Sequence, residues 1–244
     1  MSATENLTTH LISLSTPRPY SAATEHPFLT AAGLGTLPPA LLSLYLSQDR
    51  LYAAHAYPAF IGRILSAVPF SSLDASDSVK ERRNQRIVAV LTYALQNVVR
   101  EVNFFGETAK KWGLQLDVWR ERKATRDYTA EMARVSASGH MEDGLVFLWA
   151  MERVYLDAWK HVRSLTPVPT GEGSTAPAVA QLVSNWTNLE FVRFVDDLAD
   201  LVNSLEIQPG TLAWVRAEAI WARVIELEEA FWPVGGDELE LLGA

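Results

Sequence analysis

The segment from residue 37 to residue 65, LPPALLSLYLSQDRLYAAHAYPAFIGRIL, constrains the fold more than any other part of the chain. Pro38 and Pro39 suit a first helical turn, where proline loses no hydrogen bond. The residues that follow are apolar around most of the helix circumference, which predicts a buried helix. At about 100° per residue, Asp49 and Tyr52 share the inward side of this helix. Because a buried carboxylate must be paired, hydrogen-bonded or protonated, Asp49 is either a structural ion-pair partner or part of a site.

Composition and charge exclude several classes of protein. The chain has 244 residues, of which 48% are hydrophobic, enough for one large domain with a substantial core. Its net charge of −8 and the lack of a basic stripe argue against nucleic-acid binding. Without cysteine it has no disulfides, thiolate chemistry or cysteine-ligated metals. No apolar run approaches the roughly 20 residues of a membrane span and the N-terminus does not resemble a signal peptide, so we expect a cytoplasmic protein with no membrane partner.

The rest of the chain also reads as helix. Amphipathic patterns predict further helices over residues 79–111, 118–138, 142–165, 178–207 and 209–232. A serine- and aspartate-rich loop is expected at 66–77, and a long surface loop at 166–177. Neither convincing strand pairs nor internal repeats are found. The sequence therefore predicts an all-α, single-domain helical bundle.

The inward acid of the first helix has counterparts on three other helices. The angular test places one carboxylate inside the apolar face of each of them: Glu101, Glu152 and Glu228. Each buried carboxylate costs several kcal/mol, on the order of the desolvation of one ion, if it is left unpaired. One explanation is structural pairing with inward arginines, for which the candidates are Arg63, Arg126 and Arg134. The other explanation is a common site.

The residues three positions after these acids discriminate between two kinds of site. A carboxylate-bridged dinuclear metal centre needs Glu-x-x-His on two helices, but no acid has a histidine at that spacing. All four positions are aromatic instead: Tyr52, Phe104, Tyr155 and Phe231. Residues three apart share a helix face, so the pattern predicts a pocket with flat apolar walls and several hydrogen-bond acceptors. Such a pocket suits a planar heteroaromatic that carries amino groups or a ring nitrogen able to accept a proton.

Several stretches of the chain resemble the thiaminase II (TenA) family. They are HPFL at 26–29, GLGTLPPALLSLYLSQDRLY at 33–52, DYT at 127–129, NWTNLEFVRFV at 185–195 and ELEEAFW at 226–232. The resemblance covers about residues 24–233 and implies a heme-oxygenase-like helical domain over that range. Residues 1–23 would then be an N-terminal extension and residues 234–244 an acidic C-terminal tail.

The resemblance also implies roles for individual residues. Asp49 and Tyr52 match the acid and tyrosine that hold the pyrimidine amino group and ring, and Tyr128 matches a ring-stacking tyrosine. Trp186 falls where many members have another pocket tyrosine. Glu228 matches the glutamate thought to protonate a ring nitrogen.

The chain differs from the common branch of the family at the position of the catalytic nucleophile. The common branch has a cysteine in the helix around residue 152, followed by a tyrosine near Tyr155, whereas this chain has no cysteine. The segment LWAMERVYLDAW at 148–159 is similar to the cysteine-less branch, in which a glutamate, here Glu152, serves that region. That branch is linked to salvage of thiamine breakdown products.

We therefore expect a hydrolase that removes an amine or formyl group from an aminomethyl-pyrimidine, without a metal or other cofactor. In this hypothesis Glu152 acts as general base toward water, Glu228 exchanges a ring proton and Asp49 orients the exocyclic amine, while Glu101 holds a second polar edge. Tyr52, Tyr128 and Trp186 would sandwich the ring. The resemblance further implies a homo-oligomer. The alternatives are a non-catalytic pyrimidine-binding protein on the same fold, a metal-dependent oxidase and a pure interaction protein.

Overall fold

The computed structural model describes residues 6–167 and 173–242. The predicted loop at 166–177, the extension and the tail each lie partly outside these described residues. Within them the chain forms α-helices and no strand, which confirms the all-α fold. The helices are α1 (Leu7–Ser13), α2 (Ser21–Thr24), α3 (Pro27–Leu34), α4 (Pro39–Leu51), α5 (Tyr57–Ser66), α6 (Val79–Trp112), α7 (Lys123–Ser136), α8 (Met141–Ser164), α9 (Ala176–Trp186), α10 (Leu189–Asn203), α11 (Leu212–Phe231) and α12 (Asp237–Glu240).

Helix α8 is the central element of the bundle. It packs against α2, α3, α5, α7, α9, α10 and α11. Leu148, Val154 and Trp159 are fully buried on it, and the buried hydrophobic residues form one continuous core. Close packing also uses glycine, since a Cβ at Gly144 would lie 2.8 Å from Cγ1 of Ile64 on α5. Because α8 contacts so many helices, a side chain that it directs inward can meet side chains from several of them.

The predicted helix over residues 37–65 is interrupted by one π-helical turn. Helix α4 begins at Pro39 and ends at Leu51, and residues Tyr52–Ala56 form the π-turn before α5 continues. The backbone N–H of Tyr57 donates to the carbonyl of Tyr52, five residues earlier. Pro58 follows directly, and proline has no N–H to donate to a carbonyl four residues back and clashes with it. The wider turn gives the chain room at this proline.

Two of the predicted helix ranges are wrong. The range 178–207 is not one helix, because α9 ends at Trp186 and α10 begins at Leu189. Asn188 is the N-cap of α10, because its side chain accepts a hydrogen bond from the backbone N–H of Phe191 at 2.8 Å. The helix predicted over 118–138 starts later, at Lys123. Residues 118–122 before it are not helical, and the N–H of Arg120 donates to the carbonyl of Leu241 at 2.9 Å.

Both ends of the described chain are tied to the bundle. Helix α1 packs against α10 and α11 through the buried side chains of Leu7 and Leu11. Near the other end, the guanidinium of Arg122 donates to the carbonyl of Phe231 at 2.5 Å and to the carboxylate of Asp237 at 2.7 Å. In the described part of the chain, no helix combines the length and the apolar character that a membrane crossing requires.

Candidate active site

A cavity of about 560 Å³, counted with its opening to solvent, lies between the helices that carry the predicted acids. Helices α6, α8 and α11 form most of its wall, and α4, the π-turn, α5, α7 and α10 contribute one residue each. Its lining consists of Asp49, Tyr52, Tyr57, Ala94, Asn97, Val98, Glu101, Tyr128, Met151, Glu152, Tyr155, Phe191, Glu228 and Phe231. We call it the inner cavity.

Seven of the eight site residues predicted from the sequence line the inner cavity. They are Asp49, Tyr52, Glu101, Tyr128, Glu152, Tyr155 and Glu228. Each of the four acids comes from a different helix: α4, α6, α8 and α11. The helical period predicted that each acid faces inward, and the packing of the helices brings the four carboxylates, which are up to 179 positions apart in the chain, to one space.

Phenol hydroxyls hold Asp49 and Glu152 in place. The Asp49 carboxylate accepts hydrogen bonds from the hydroxyls of Tyr155 at 2.8 Å and Tyr45 at 3.1 Å. The Glu152 carboxylate accepts one from the hydroxyl of Tyr57 at 2.6 Å. These contacts orient both acids toward the cavity and satisfy one oxygen of each.

The other two acids have partners of the same kind. The hydroxyl of Tyr128 donates to Glu228 at 2.5 Å, and the indole N–H of Trp186 donates to Glu101. Among the described residues, no lysine or arginine forms an ion pair with any of the four acids. The alternative of structural pairing is wrong for the candidates that can be traced, because Arg126 donates to the carbonyl of Glu121 and Arg134 pairs with Glu131.

Removal from water sets the protonation of the four acids. Burial raises the pKa of Asp49 and Glu152 to about 7, although their phenol hydrogen bonds act in the opposite direction. Burial raises the pKa of Glu101 and Glu228 to about 8, and the charge of Asp49 adds to both shifts. Near neutral pH each acid is divided between its protonated and ionised forms, so each can donate or accept a proton.

Aromatic rings form the walls between these acids. Tyr52 meets Tyr128 edge to face at a centroid distance of 5.1 Å, and Phe231 lies 5.8 Å from Tyr128. The Tyr52 hydroxyl contacts the sulfur of Met151 at 3.1 Å. A flat ring entering this space would meet π-faces, π-edges and a polarizable thioether. Within the described residues, no group of three or more histidine, aspartate or glutamate side chains is arranged to hold a metal ion.

Comparison with known proteins assigns the chain to a family. Residues 17–237 match the TENA/THI-4/PQQC family. The chain belongs to this family. A probable bifunctional TENA-E protein from Glycine max is 24% identical over 215 residues, which cover 87% of this chain and 86% of that protein.

Solved structures of the family have the same fold. A TenA homologue from Pyrococcus furiosus superimposes with a TM-score of 0.73 at 19% identity, over 93% of this chain and 98% of the other. A putative TenA-like thiaminase from Sulfolobus solfataricus gives 0.63 at 14% identity, over 98% and 96%. The fold is thus the all-α heme-oxygenase-like fold of TenA proteins, as the sequence resemblance implied.

Trp186 is the predicted TenA site residue that does not line the inner cavity. Helix α9 ends at this residue, and its ring packs against Trp159 at 4.6 Å and against Tyr155 at 5.2 Å. Only its indole N–H points toward the acids, where it donates to Glu101. Trp186 therefore holds Glu101 in position through this hydrogen bond and does not form a wall of the inner cavity.

The site also contains residues that the sequence did not indicate. Tyr57 is the most important, because it holds Glu152. In a regular helix, residues five apart differ by about 140° in direction, so Tyr57 would have left the face of Tyr52. The π-turn removes much of this difference, and the two rings lie 6.1 Å apart. The sequence contained one clue, since Pro58 requires some irregularity at this point.

Proposed function

We propose that this TenA protein is a hydrolase of thiamine salvage, which acts on an aminomethyl- or formylaminomethyl-pyrimidine. Membership of the family, with a thiaminase named among the structural neighbours, supports a thiamine-related role. The observation that carries the finer proposal is the set of four acids without a cation, gathered around one aromatic cavity.

The charge of the cavity selects its ligand. The partly ionised carboxylates accept hydrogen bonds from phenol hydroxyls and an indole N–H, and their oxygens can accept further hydrogen bonds. A ligand that supplies N–H groups or a positive charge stabilises their ionised forms. An aminopyrimidine provides an exocyclic amine and a ring nitrogen that can be protonated, on a flat ring that can contact the aromatic wall formed by Tyr52, Tyr128 and Phe231.

We assign the proton transfers by position and pKa. Glu152, with a pKa of about 7, removes a proton from water, and Glu228, with a pKa of about 8, delivers a proton to a ring nitrogen. With the unacylated compound, whose aminomethyl group reacts as its ammonium form, the water oxygen bonds to the methylene carbon while the C–N bond breaks and neutral ammonia leaves. With the formyl compound, water adds to the formyl carbon and the products are formate and the amine. Asp49 orients the exocyclic amine in both reactions.

The proposal is tested with purified protein and two compounds, 4-amino-5-aminomethyl-2-methylpyrimidine and its N-formyl derivative. Release of ammonia or formate is measured over time. We expect Glu152→Gln to lower kcat/KM by about 10²–10⁴-fold, the range typical of general-base catalysis. Glu226→Gln is the matched control, because this glutamate is exposed on α11 and pairs with Arg223 instead of lining the cavity.

Two outcomes would contradict this assignment. If Glu152→Gln hydrolyses either compound as fast as the parent protein, Glu152 is not the base. If the parent protein binds both compounds tightly and releases nothing, the chain is a pyrimidine-binding protein and the hydrolase proposal fails.

A further inference from the structure

A second cavity adjoins the inner one on the solvent side. It measures about 740 Å³, counted with its opening to solvent, and we call it the outer cavity. Its lining includes Tyr93, Asn97, Arg100, Glu101, Phe104, Asn185, Trp186, Asn188, Glu190 and Phe191. Three of these residues, Asn97, Glu101 and Phe191, also line the inner cavity. The two spaces are therefore neighbouring compartments with a shared boundary.

Helix α6 separates the two compartments with two stripes of side chains. Ala94, Val98 and Glu101 follow one another at the spacing of a helix face and line the inner cavity. Arg100 and Phe104 lie on the adjacent stripe and line the outer cavity. Asn97 and Glu101 are one turn apart and belong to both linings, so these two residues mark the boundary on this helix.

The outer cavity differs from the inner one in charge. Among the described residues that line either cavity, Arg100 is the one cation, and its guanidinium donates to Glu190 at 2.9 Å and to the side-chain oxygen of Asn97 at 2.9 Å. Because Arg100 and Glu190 offset each other, the outer cavity favours a neutral group, whereas the inner cavity favours a cationic or donor-rich one. The apolar part of the outer wall is formed by the rings of Phe104, Trp186 and Phe191.

The boundary residues complement a secondary amide. Glu101 offers a carboxylate that can accept an N–H. Asn97 uses its oxygen to bind Arg100, and its amide N–H₂ group has no hydrogen-bond partner among the described residues, so it can donate to a carbonyl. An –NH–CO– group carries one such donor and one such acceptor on adjacent atoms, which point in opposite directions in a trans amide. An N-acyl substituent on the aminomethyl nitrogen would meet both side chains as it passes from the inner to the outer cavity.

We propose that the outer cavity binds the acyl chain of N-acylaminomethyl-pyrimidines longer than the formyl compound, and that Asn97 selects for the acyl carbonyl. This inference rests on the proposed function, which places the pyrimidine in the inner cavity. It adds a specificity-determining residue and widens the substrate class to amides of larger carboxylic acids. The chemistry is unchanged, since water still adds to the acyl carbon and the carboxylic acid leaves.

The test compares the affinities of three neutral probes by calorimetry. Glu152→Gln serves as the parent protein in this comparison, and the variants below are made in it, so that no probe is hydrolysed during the measurement. The probes are the N-formyl, N-butanoyl and N-(2,2,2-trifluoroethyl) derivatives of the aminomethyl-pyrimidine, the last of which has a weakly basic N–H and no carbonyl. We expect the parent protein to bind the N-butanoyl compound at least as tightly as the N-formyl compound, because the longer chain contacts Phe104 and Phe191. Asn97→Leu should lower the ratio of N-butanoyl to N-trifluoroethyl affinity about tenfold, the effect of one hydrogen bond.

Two further variants complete the design. Phe104→Trp reduces the space of the outer cavity and should lower the ratio of N-butanoyl to N-formyl affinity. Asn103→Leu, at an exposed position of α6 outside both linings, should change neither ratio. Because each measurement is a ratio of two ligands on one protein, a general loss of folding cannot imitate the result.

The inference is overturned if the parent protein binds the N-formyl compound but not the N-butanoyl compound, or if Asn97→Leu leaves the first ratio unchanged. Failure of the unsubstituted aminomethyl-pyrimidine to bind at all would overturn the proposed function itself, and this inference with it.

Discussion

At the scale of single residues, the partners of the four acids determine what the acids can do. An arginine beside a carboxylate lowers its pKa by about 1–3 units and keeps it ionised. Here the partners are the neutral donors Tyr57, Tyr128, Tyr155 and Trp186, which fix the geometry and leave the pKa values near 7 and 8. Neutral partners thus preserve the ability to exchange protons at physiological pH.

The hydrogen bond from Tyr57 to Glu152 yields a prediction about pH. This bond stabilises the ionised carboxylate and so lowers the pKa of Glu152, against the larger effect of burial. Tyr57→Phe removes only the hydroxyl, and the pKa of Glu152 should rise above about 7. Because the proposed base must be ionised to act, the acidic limb of the kcat/KM profile should shift to higher pH. The measurement is kcat/KM for release of ammonia or formate between pH 5 and pH 9.

Tyr93→Phe provides the comparison for this experiment. The Tyr93 hydroxyl donates to Glu190 at 2.7 Å outside the inner cavity, so its loss should leave the acidic limb in place. An unshifted limb in Tyr57→Phe would mean that Glu152 is not the group that titrates in the reaction.

The sequence predicted the direction of the acids better than the identity of their partners. Asp49, Glu101, Glu152 and Glu228 each lie in a regular stretch of helix, where the 3.6-residue period holds. Tyr57 lies just past the π-turn, where the period changes locally, and this change depends on how the chain accommodates Pro58. Trp186 was placed by resemblance alone, and the chain direction at the end of α9 decides where its ring goes.

At the scale of elements, the break between α9 and α10 controls one wall of both cavities. The side chain of Asn188 caps the start of α10 by accepting a hydrogen bond from the backbone N–H of Phe191. The side chain of Phe191 lines both cavities. We predict that Asn188→Ala lowers the free energy of unfolding by about 1 kcal/mol, as for other N-caps. Chemical denaturation measures this change. Asn188→Asp should retain most of the stability, because aspartate caps equally well.

An equal loss in Asn188→Ala and Asn188→Asp would show that the cap does not stabilise the start of α10. The prediction of one helix over 178–207 failed at this same residue. Apolar periodicity continues across residues 187 and 188, and for this reason we predicted one helix. The sequence nevertheless contains a local signal for a helix start at this point. That signal is Thr187-Asn188 followed by Glu190, a capping residue with an acid in the first turn.

At the scale of the whole molecule, the bundle supports four buried acids at a cost in stability. The long helices and their many buried side chains supply a core large enough to tolerate that cost, and this general balance follows from composition. The positions of the acids relative to one another do not follow from it. They depend on how α4, α6, α8 and α11 are arranged in the bundle, which periodicity leaves undetermined.

The cost of the acids should appear as a pH dependence of stability. Glu228 has a pKa of about 8 in the folded protein, against an ordinary value of 4.5, so the fold favours its protonated form. Its contribution to stability is complete below about pH 4.5 and is lost as the pH rises through about 8. Glu228→Gln has a neutral side chain at every pH. At pH 9 the free energy of unfolding of this variant should exceed that of the parent protein by a few kcal/mol, on the order expected for such a pKa shift. At pH 5 the difference between the two proteins should be much smaller. Denaturant titrations at both pH values, with Glu226→Gln as the exposed control on the same helix, measure this difference. If the difference between Glu228→Gln and the parent is the same at pH 5 and pH 9, Glu228 does not titrate between them and cannot supply the ring proton.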